Sequence, residues 1–387
     1  MRKIMWHSLV CAFLLGSMPA LRAEFNVLDY GCKGDGASDD TMCVRSALKA
    51  AADTGGGSIY FPSGHRYLIL GQISIPNDSR SFPDQFPITL RGDGGAWDGT
   101  WSSLTSGAAT LDMRYAGPTA KIDTRGRGVL RIEGLAFVDG GSDSTPFILT
   151  TNTTLIVQHN SFRGSGSGGE SSVNDGLVLG GTTQSMGGGP DAPFQGYGTV
   201  IRENYFARVR RAVFGQEWAN GVEVQYNTIS NDSGNKNGGA IVWQRGPVVP
   251  GADNGQYGNI IENNLIEVAG YRYGVQMMEG SNHNTIIGNS CYDANTPLSA
   301  ACIYLSPDST NNIVMMGIVG ATSTIAPVVA GPDNIILEPR SMLISTGGKI
   351  NAGTGYMVAG KPLASVDLSD SGEIGRASCR ERVSNCV

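Results

Sequence analysis

Two glutamates and an arginine fall at matching places in successive repeats of this chain, in a column that reads Gly181, Glu217, Arg245, Glu279, Pro307. If the repeats stack as parallel strands about 4.8 Å apart, the backbones of Glu217 and Glu279 are separated by roughly 9.6 Å with Arg245 between them. Carboxylates about 6.5 to 9.5 Å apart suit an inverting hydrolysis, in which one acid protonates the leaving oxygen and the other activates water. Arg245 would hold a substrate carboxylate or depress one of the two acids. Trp218, Tyr273, Tyr304 and Gln244 lie beside the column as candidate sugar contacts, since an aromatic face packs on pyranose C–H groups. Trp243 falls among inward positions and reads as core. The plainer reading of the same column is a charge ladder, Glu against Arg against Glu, at strand ends.

The repeats that place these residues are marked by a short phrase, an apolar strand ending in Asn, one residue, then Phe or Ile. It occurs as LIVQHNSF (155–162), VIRENYF (200–206), VEVQYNTI (222–229), IIENNLI (260–266) and, with Cys last, IIGNSC (286–291). A sixth copy, IVMMGI (313–318), lacks the Asn. The anchors Asn160, Asn204, Asn227, Asn264 and Asn289 define a coil of roughly 22 to 25 residues where no insertion intervenes, the length of a β-helix coil. Gly164 to Gly198 and Pro247 to Gly258 are insertions, and loops of this kind carry binding function. Stacked Asn side chains can hydrogen-bond one another and the turn backbone, so the Asn column is scaffold.

A second strand lies between the phrases. Aligning DGLVLGG (175–181), RAVFGQE (211–217), GAIVWQR (239–245), YGVQMME (273–279) and ACIYLSP (301–307) puts Leu177, Val213, Ile241, Val275 and Ile303 in one inward column. Leu179, Gly215, Trp243, Met277 and Leu305 follow two residues on. This is the period-two pattern of strands, and with 55 Gly and 16% charged residues in 387 it predicts an all-β parallel β-helix of one elongated domain.

Met1 to Ala23 has Arg2 and Lys3, an apolar run from Leu9 to Leu15 and small residues near Ala20 and Ala23, and reads as a secretory signal peptide. A secreted or periplasmic protein with no membrane insertion after signal removal is expected. Glu373 to Val383 (EIGRASCRERV) reads as a translated sequencing adapter, so residues 373–387 are set aside as an artefact. The β-helix domain is then assigned to 24–372, truncated at its C-terminus. Excluding both ends makes the net charge of −6 more negative still, which argues against nucleic acid as a partner and leaves room for a local basic cleft. Of the cysteines, Cys32, Cys43, Cys291 and Cys302 remain, and they allow three connectivities, the pairing of near neighbours being one. None has zinc-type spacing. Nothing here fixes the oligomeric state.

The mature N-terminus reads FNVLDYGCKGDGASDDT (25–41), an Ala-rich helical run to Ala52, then GGGSIYFPSG (55–64). Asp39 or Asp40 stands where a helix N-cap is needed, with Ala47, Leu48 and Ala51 as the helix's apolar face. A helix there would cover the open end of a solenoid. This run resembles the N-terminal signature of the pectate-lyase-like superfamily, in the branch of rhamnogalacturonase-type and epimerase-like proteins. The resemblance implies a right-handed single-stranded parallel β-helix that acts on polysaccharide. Asp175, in Asn174-Asp175-Gly176, faintly resembles the Asn-Thr-Asp element of polygalacturonases, whose companion elements are absent here. The expected function is to bind and cleave an acidic, pectin-like polysaccharide by hydrolysis or β-elimination. The alternatives are a non-catalytic adhesin or tailspike-like rod and a uronate epimerase. Glu217, Glu279, Arg245 and Asp175 are the catalytic candidates. No cofactor is assigned, except that a lyase would need Ca²⁺ held by Asp and Glu and a base such as Arg245, Arg210 or Arg211. His65, His159 and His283 share no column and read as structural or solvated. Trp97 and Trp101 are candidate sugar platforms or packing residues.

Overall fold

A strand with period-two alternation has one apolar face, and it buries that face only when further strands close a core around it. A computed structural model of the chain describes residues 23–76, 87–94, 107–124, 128–141, 144–150, 154–165, 174–180, 198–216, 219–230, 238–244, 258–268, 271–278, 280–292, 301–315, 317, 326–330, 333–337, 356–358 and 361–362. Among these, the strands form parallel sheets of thirteen, nine and nine members, with a short antiparallel ending on the first. One coil runs through Thr199–Arg202 in the first sheet, Tyr205–Ala207 in the second and Val213–Gly215 in the third, and then re-enters the first at Val222–Gln225. The fold is an all-β right-handed parallel β-helix with one α-helix, Thr41–Asp53, at its N-terminal end.

The inward columns read from the sequence pair residue for residue: Leu177 with Val213, Ile241, Val275 and Ile303, and Leu179 with Gly215, Trp243, Met277 and Leu305. Trp243 is fully buried and donates its indole N–H to the Ala219 carbonyl. In the second sheet Phe137, Phe162 and Phe206 stack with ring centroids 4.8 and 5.0 Å apart. Burying each such side chain contributes about 1.5–3 kcal/mol. On the helix, Val44, Ala47, Leu48 and Ala51 are buried in the same core. The capping role divides between two acids. Asp39 accepts from the Thr41 N–H at 2.9 Å, whereas Asp40, the residue at the cap position, accepts from the Lys33 and Gly34 N–H groups at 2.7 and 3.1 Å. Asp40 thereby folds the signature loop back on the helix start, and Gly34 in that loop is left-handed, with no room for a Cβ against His65.

Each coil has three strands where the sequence pattern suggested two, because the Asn phrase is itself bent. The residue before each Asn, namely His159, Glu203, Tyr226, Asn263 and Gly288, has φ between 54° and 66°, and this single left-handed residue turns the chain from the first sheet to the second. The turn is held by the stacked Asn side chains. Asn204 donates both its N–H and its amide Nδ2 to Asn227 Oδ1 at 3.0 Å. Asn227 does the same to Asn264, and the pattern extends from Asn160 to Asn289. In the sixth copy Gly317 stands in the Asn position, its N–H bonded to the Asn289 carbonyl. A second ladder, Asn259, Asn284, Asn312 and Asn334, lies at the start of the first sheet's strands, each member again preceded by a left-handed residue. His159 and His283 are exposed residues of these two kinds of turn.

Both near-neighbour disulfides are formed, Cys32–Cys43 beside the helix and Cys291–Cys302 between the second and third sheets. Residues 1–22 and 363–387, and with them the signal peptide and the adapter-like tail, lie outside the described residues, as do Trp97 and Trp101. No helix among the described residues is long and apolar enough to cross a membrane.

Two neighbouring substitutions separate ladder from turn. Asn227→Ala removes the acceptor for two donors of Asn204 and should lower unfolding free energy by about 3 kcal/mol, as loss of buried hydrogen-bond partners does. Tyr226→Gly, at an exposed left-handed position, relieves backbone strain and should leave stability within about 1 kcal/mol of the parent. Urea unfolding of both variants measures the difference.

Candidate functional site

The first-to-second turn is fixed in length by its ladder, so the insertions fall at the other two corners. The segment after Ser161–Arg163 enters the third sheet and the segment after Leu177–Leu179 leaves it. The outer face of the third sheet therefore lies between the two corners at which the chain admits insertions. Register places Asp175, Arg211, Gly239, Tyr273 and Ala301 at one position of successive strands, with Val178, Phe214, Val242, Gln276 and Tyr304 three residues on.

Asp175 is 2% exposed and is gripped by two forks. Arg210 donates Nε and Nη2 to its two oxygens at 2.9 and 2.5 Å, and Arg211 does so at 2.9 and 2.6 Å. Burial alone would raise the Asp175 pKa, but the hydrogen bonds from Arg210 and Arg211 outweigh it and hold the carboxyl below the usual range. The same bonds push the Arg210 guanidinium up. Two cations on one carboxylate leave one positive charge in excess. Arg211 also lies over the Phe214 ring, 3.4 Å from its centroid, and Phe214 packs with Val178 and Val242. An Asp held in this way does not exchange a proton readily near neutral pH; it positions two guanidinium groups.

The ion pairing extends along the corner. Asp112, fully buried, is bonded by Arg66 and Arg114 at 2.8 and 2.9 Å, and although burial opposes it, these contacts keep its pKa low. Lys121 and Asp139, both buried, are 3.3 Å apart, and Asn174 donates to Asp139. The sequence reading named Arg210 and Arg211 only as alternatives for a lyase base. Their pairing with Asp175 had one signal, the alignment of Asp175 with Arg211 in neighbouring strands.

Of the aromatic candidates, Tyr273 and Tyr304 are stacked with centroids 4.6 Å apart. Tyr273 is largely covered, with Arg272 also over its ring at 5.3 Å, so Tyr304, half-buried, is the ring of the pair with the more open surface. Gln244 is exposed and directly follows the inward Trp243 at the end of its strand. Glu217, Trp218, Arg245 and Glu279 lie outside the described residues; of the predicted set, Tyr273 and Tyr304 are in contact, while Asp175 lies on a strand three places away from that of Tyr273 in the same sheet. Among the described residues, the one compact grouping of possible metal ligands is Cys32, Asp40 and Cys43, and its sulfurs are joined in the disulfide.

Residues 24–114 match the family described as "Rhamnogalacturonase A/epimerase, pectate lyase-like". Over 41 residues the chain is 54% identical to alginate lyase 7 of Azotobacter vinelandii, a stretch making up 11% of this chain and 5% of that protein. The same identity over 41 residues relates it to mannuronan C5-epimerase AlgE3 of that organism, of which it covers 2%. The matched stretch is thus a small fraction of these relatives' length. Among solved structures, the phiAB6 tailspike, in complex with three-repeated oligosaccharides of Acinetobacter baumannii surface polysaccharide, aligns with a TM-score of 0.51 and 13% identity. The alignment covers 82% of this chain and 49% of that one, and it speaks to the fold. The signature loop and capping helix lie within the stretch 24–114 that the family model matches, and coils of parallel strands like those of the family continue from them, so the chain resembles the pectate-lyase-like superfamily in signature and fold.

Proposed function

We propose that this chain is an exported polysaccharide-active β-helix that binds, and cleaves by glycoside hydrolysis or β-elimination, an acidic pectin-like polysaccharide on the outer face of its third sheet. The observation that carries the reading is the Asp175 clamp. It fixes Arg210 and Arg211 with a net positive charge beside Phe214, on the sheet that further along carries the Tyr273–Tyr304 stack, in a chain that is acidic as a whole. A guanidinium recognises a planar carboxylate by paired N–H donors, and a ring face accepts the C–H side of a sugar. The names of the relatives, alginate lyase and mannuronan epimerase, concern uronate polymers and support the same substrate class.

Within this reading Glu217 and Glu279 are the acid and base of hydrolysis, Arg245 and the Arg210–Arg211 pair hold uronate carboxylates, and Trp218, Tyr304 and Gln244 contact sugar. A β-elimination would use an Arg to take the C5 proton and a Ca²⁺ ion to neutralise the uronate. One observation favours a second reading, a non-catalytic binding rod: Asp175, the clamp carboxylate on the face, is locked in ion pairs.

The deciding experiment incubates the protein with polygalacturonate, alginate and rhamnogalacturonan, following new reducing ends and unsaturated-uronate absorbance. Hydrolysis yields the first alone, elimination both, and a binding rod neither, although it is retained on the polymer. Glu217→Gln and Glu279→Gln should each lower hydrolysis at least about 100-fold; unchanged turnover in both would sink the two-carboxylate assignment. Arg211→Gln should weaken binding of a galacturonate oligomer about tenfold, measured by calorimetry at low salt.

The clamp also predicts a pH signature. Because the folded-state pKa of Asp175 lies below its ordinary value of 3.8, its contribution to stability is present above that value and is lost as pH falls through the lower folded-state value. Asp175→Asn should therefore cost about 3 kcal/mol at pH 7, and the gap to the parent should close below roughly pH 3.8. Urea unfolding across that range gives the answer.

A further inference from the structure

The second sheet carries on its outer face a carboxylate that the clamp does not use. At the last position of successive strands, register aligns Arg163, Ala207, Ser230, Glu267 and Tyr292. Glu267 is 7% exposed and Ser230 is 4% exposed. Four of the other buried acids are compensated: Asp112 and Asp175 each by two Arg, Asp139 by Lys121, and Asp40 by two backbone N–H groups. Glu267 has one partner, the Ser230 hydroxyl, which donates to its Oε2. Among the described residues no cation pairs with it, and Oε1 accepts no hydrogen bond. On the next strand, about 4.8 Å away, the half-buried Tyr292 hydroxyl also has no hydrogen-bond partner among the described residues.

A buried carboxylate without a cation is costly unless something else bonds it. Here an open acceptor and an open donor sit side by side on adjacent strands. Burial first, then the Glu267 carboxylate and Tyr205, push the Tyr292 hydroxyl up to about 12, so it remains a donor through the neutral range. Tyr205, buried on the same outer face, adds an aromatic wall.

We infer that Glu267, Ser230 and Tyr292 form a saccharide subsite on the second sheet, separate from the third-sheet clamp, that takes a neutral sugar unit. A sugar hydroxyl donates to Glu267 Oε1 while a neighbouring oxygen accepts from the Tyr292 hydroxyl. The unpaired negative charge of Glu267 excludes a uronate, whose carboxylate it would repel. The subsite does not rest on the reading of the third sheet, since none of its residues belongs to that face.

Calorimetric titration with mannotetraose, galactotetraose and xylotetraose, against trigalacturonate as the contrast, tests it. At least one neutral tetrasaccharide should bind. Its Kd should rise about tenfold in Tyr292→Phe and in Glu267→Gln and stay within about twofold in Arg211→Gln, with the reverse pattern for trigalacturonate. Thermal unfolding of each variant accompanies the titration. If Glu267→Gln does not fold, Tyr292→Phe, which keeps the ring, decides alone. The subsite is overturned if no neutral tetrasaccharide binds the parent, or if binding is unchanged in a folded Tyr292→Phe.

Discussion

Everything outward of the core depends on one hydrogen-bonding arrangement, the side-chain amide of one coil's Asn accepting the backbone and side-chain N–H of the coil before it. Each Asn is nearly fully buried, and leaving such an amide unsatisfied costs about 1–3 kcal/mol, so the column can exist only if successive coils keep the same rise and the same turn. That condition is met by one left-handed residue per turn, supplied at a modest backbone cost by His, Glu, Tyr, Asn or Gly. The identity of that residue is free because its side chain points to solvent. The identity of the next is not, since a stacked amide must both donate and accept.

Much of this was legible in the sequence, and the misses have physical reasons. The inward columns of the third sheet could be aligned because β-alternation survives in five strands whose loops differ in length. The Asn column was legible because its phrase is local. The bend inside the phrase was not, since a single left-handed His, Glu or Tyr leaves no mark in composition. The second ladder was hidden for a related reason. At its position the earlier coils carry Thr199 and Val222, where Leu155 donates to Thr199 Oγ1 and Val222 to Asn259, so an Asn column emerges only in the later coils. The cap was read correctly in kind, yet the division between Asp39 and Asp40 required knowing that Lys33 and Gly34 come back to the helix start.

For the site, residue types were legible and pairings were not. Asp175 looked like an acid available for chemistry, and it is the hub of two guanidinium forks. Sequence reasoning pairs charges by spacing within a strand or helix, whereas this contact joins one coil to the next across 35 and 36 residues. Tyr273 and Tyr304 were close in the alignment, but their mutual stacking, with Arg272 on the first, is a cross-strand property that depends on rotamers. Glu267 escaped notice because nothing in its local sequence distinguishes a carboxylate with a cation from one without.

The division of labour among the three corners follows from the ladder. A turn closed by one left-handed residue cannot accept an insertion without breaking the stack, and so the first-to-second corner is the same length in every coil that carries Asn. Among the described residues the second-to-third corner has no such ladder, and at the third-to-first corner the second ladder holds only the residues next to the later strands of the first sheet, so chain length ahead of it is free to vary. Variation is therefore confined to the two edges of the third sheet. The outer face between those edges is the one surface bordered on both sides by segments that can change without unpicking the core. A binding groove placed there can be remodelled coil by coil, while the second sheet, bounded on one side by the rigid turn, can offer only what its own strands carry outward. That is why the clamp of Asp175 stands beside variable loops, and why the Glu267 position must supply its donor and acceptor from adjacent strands.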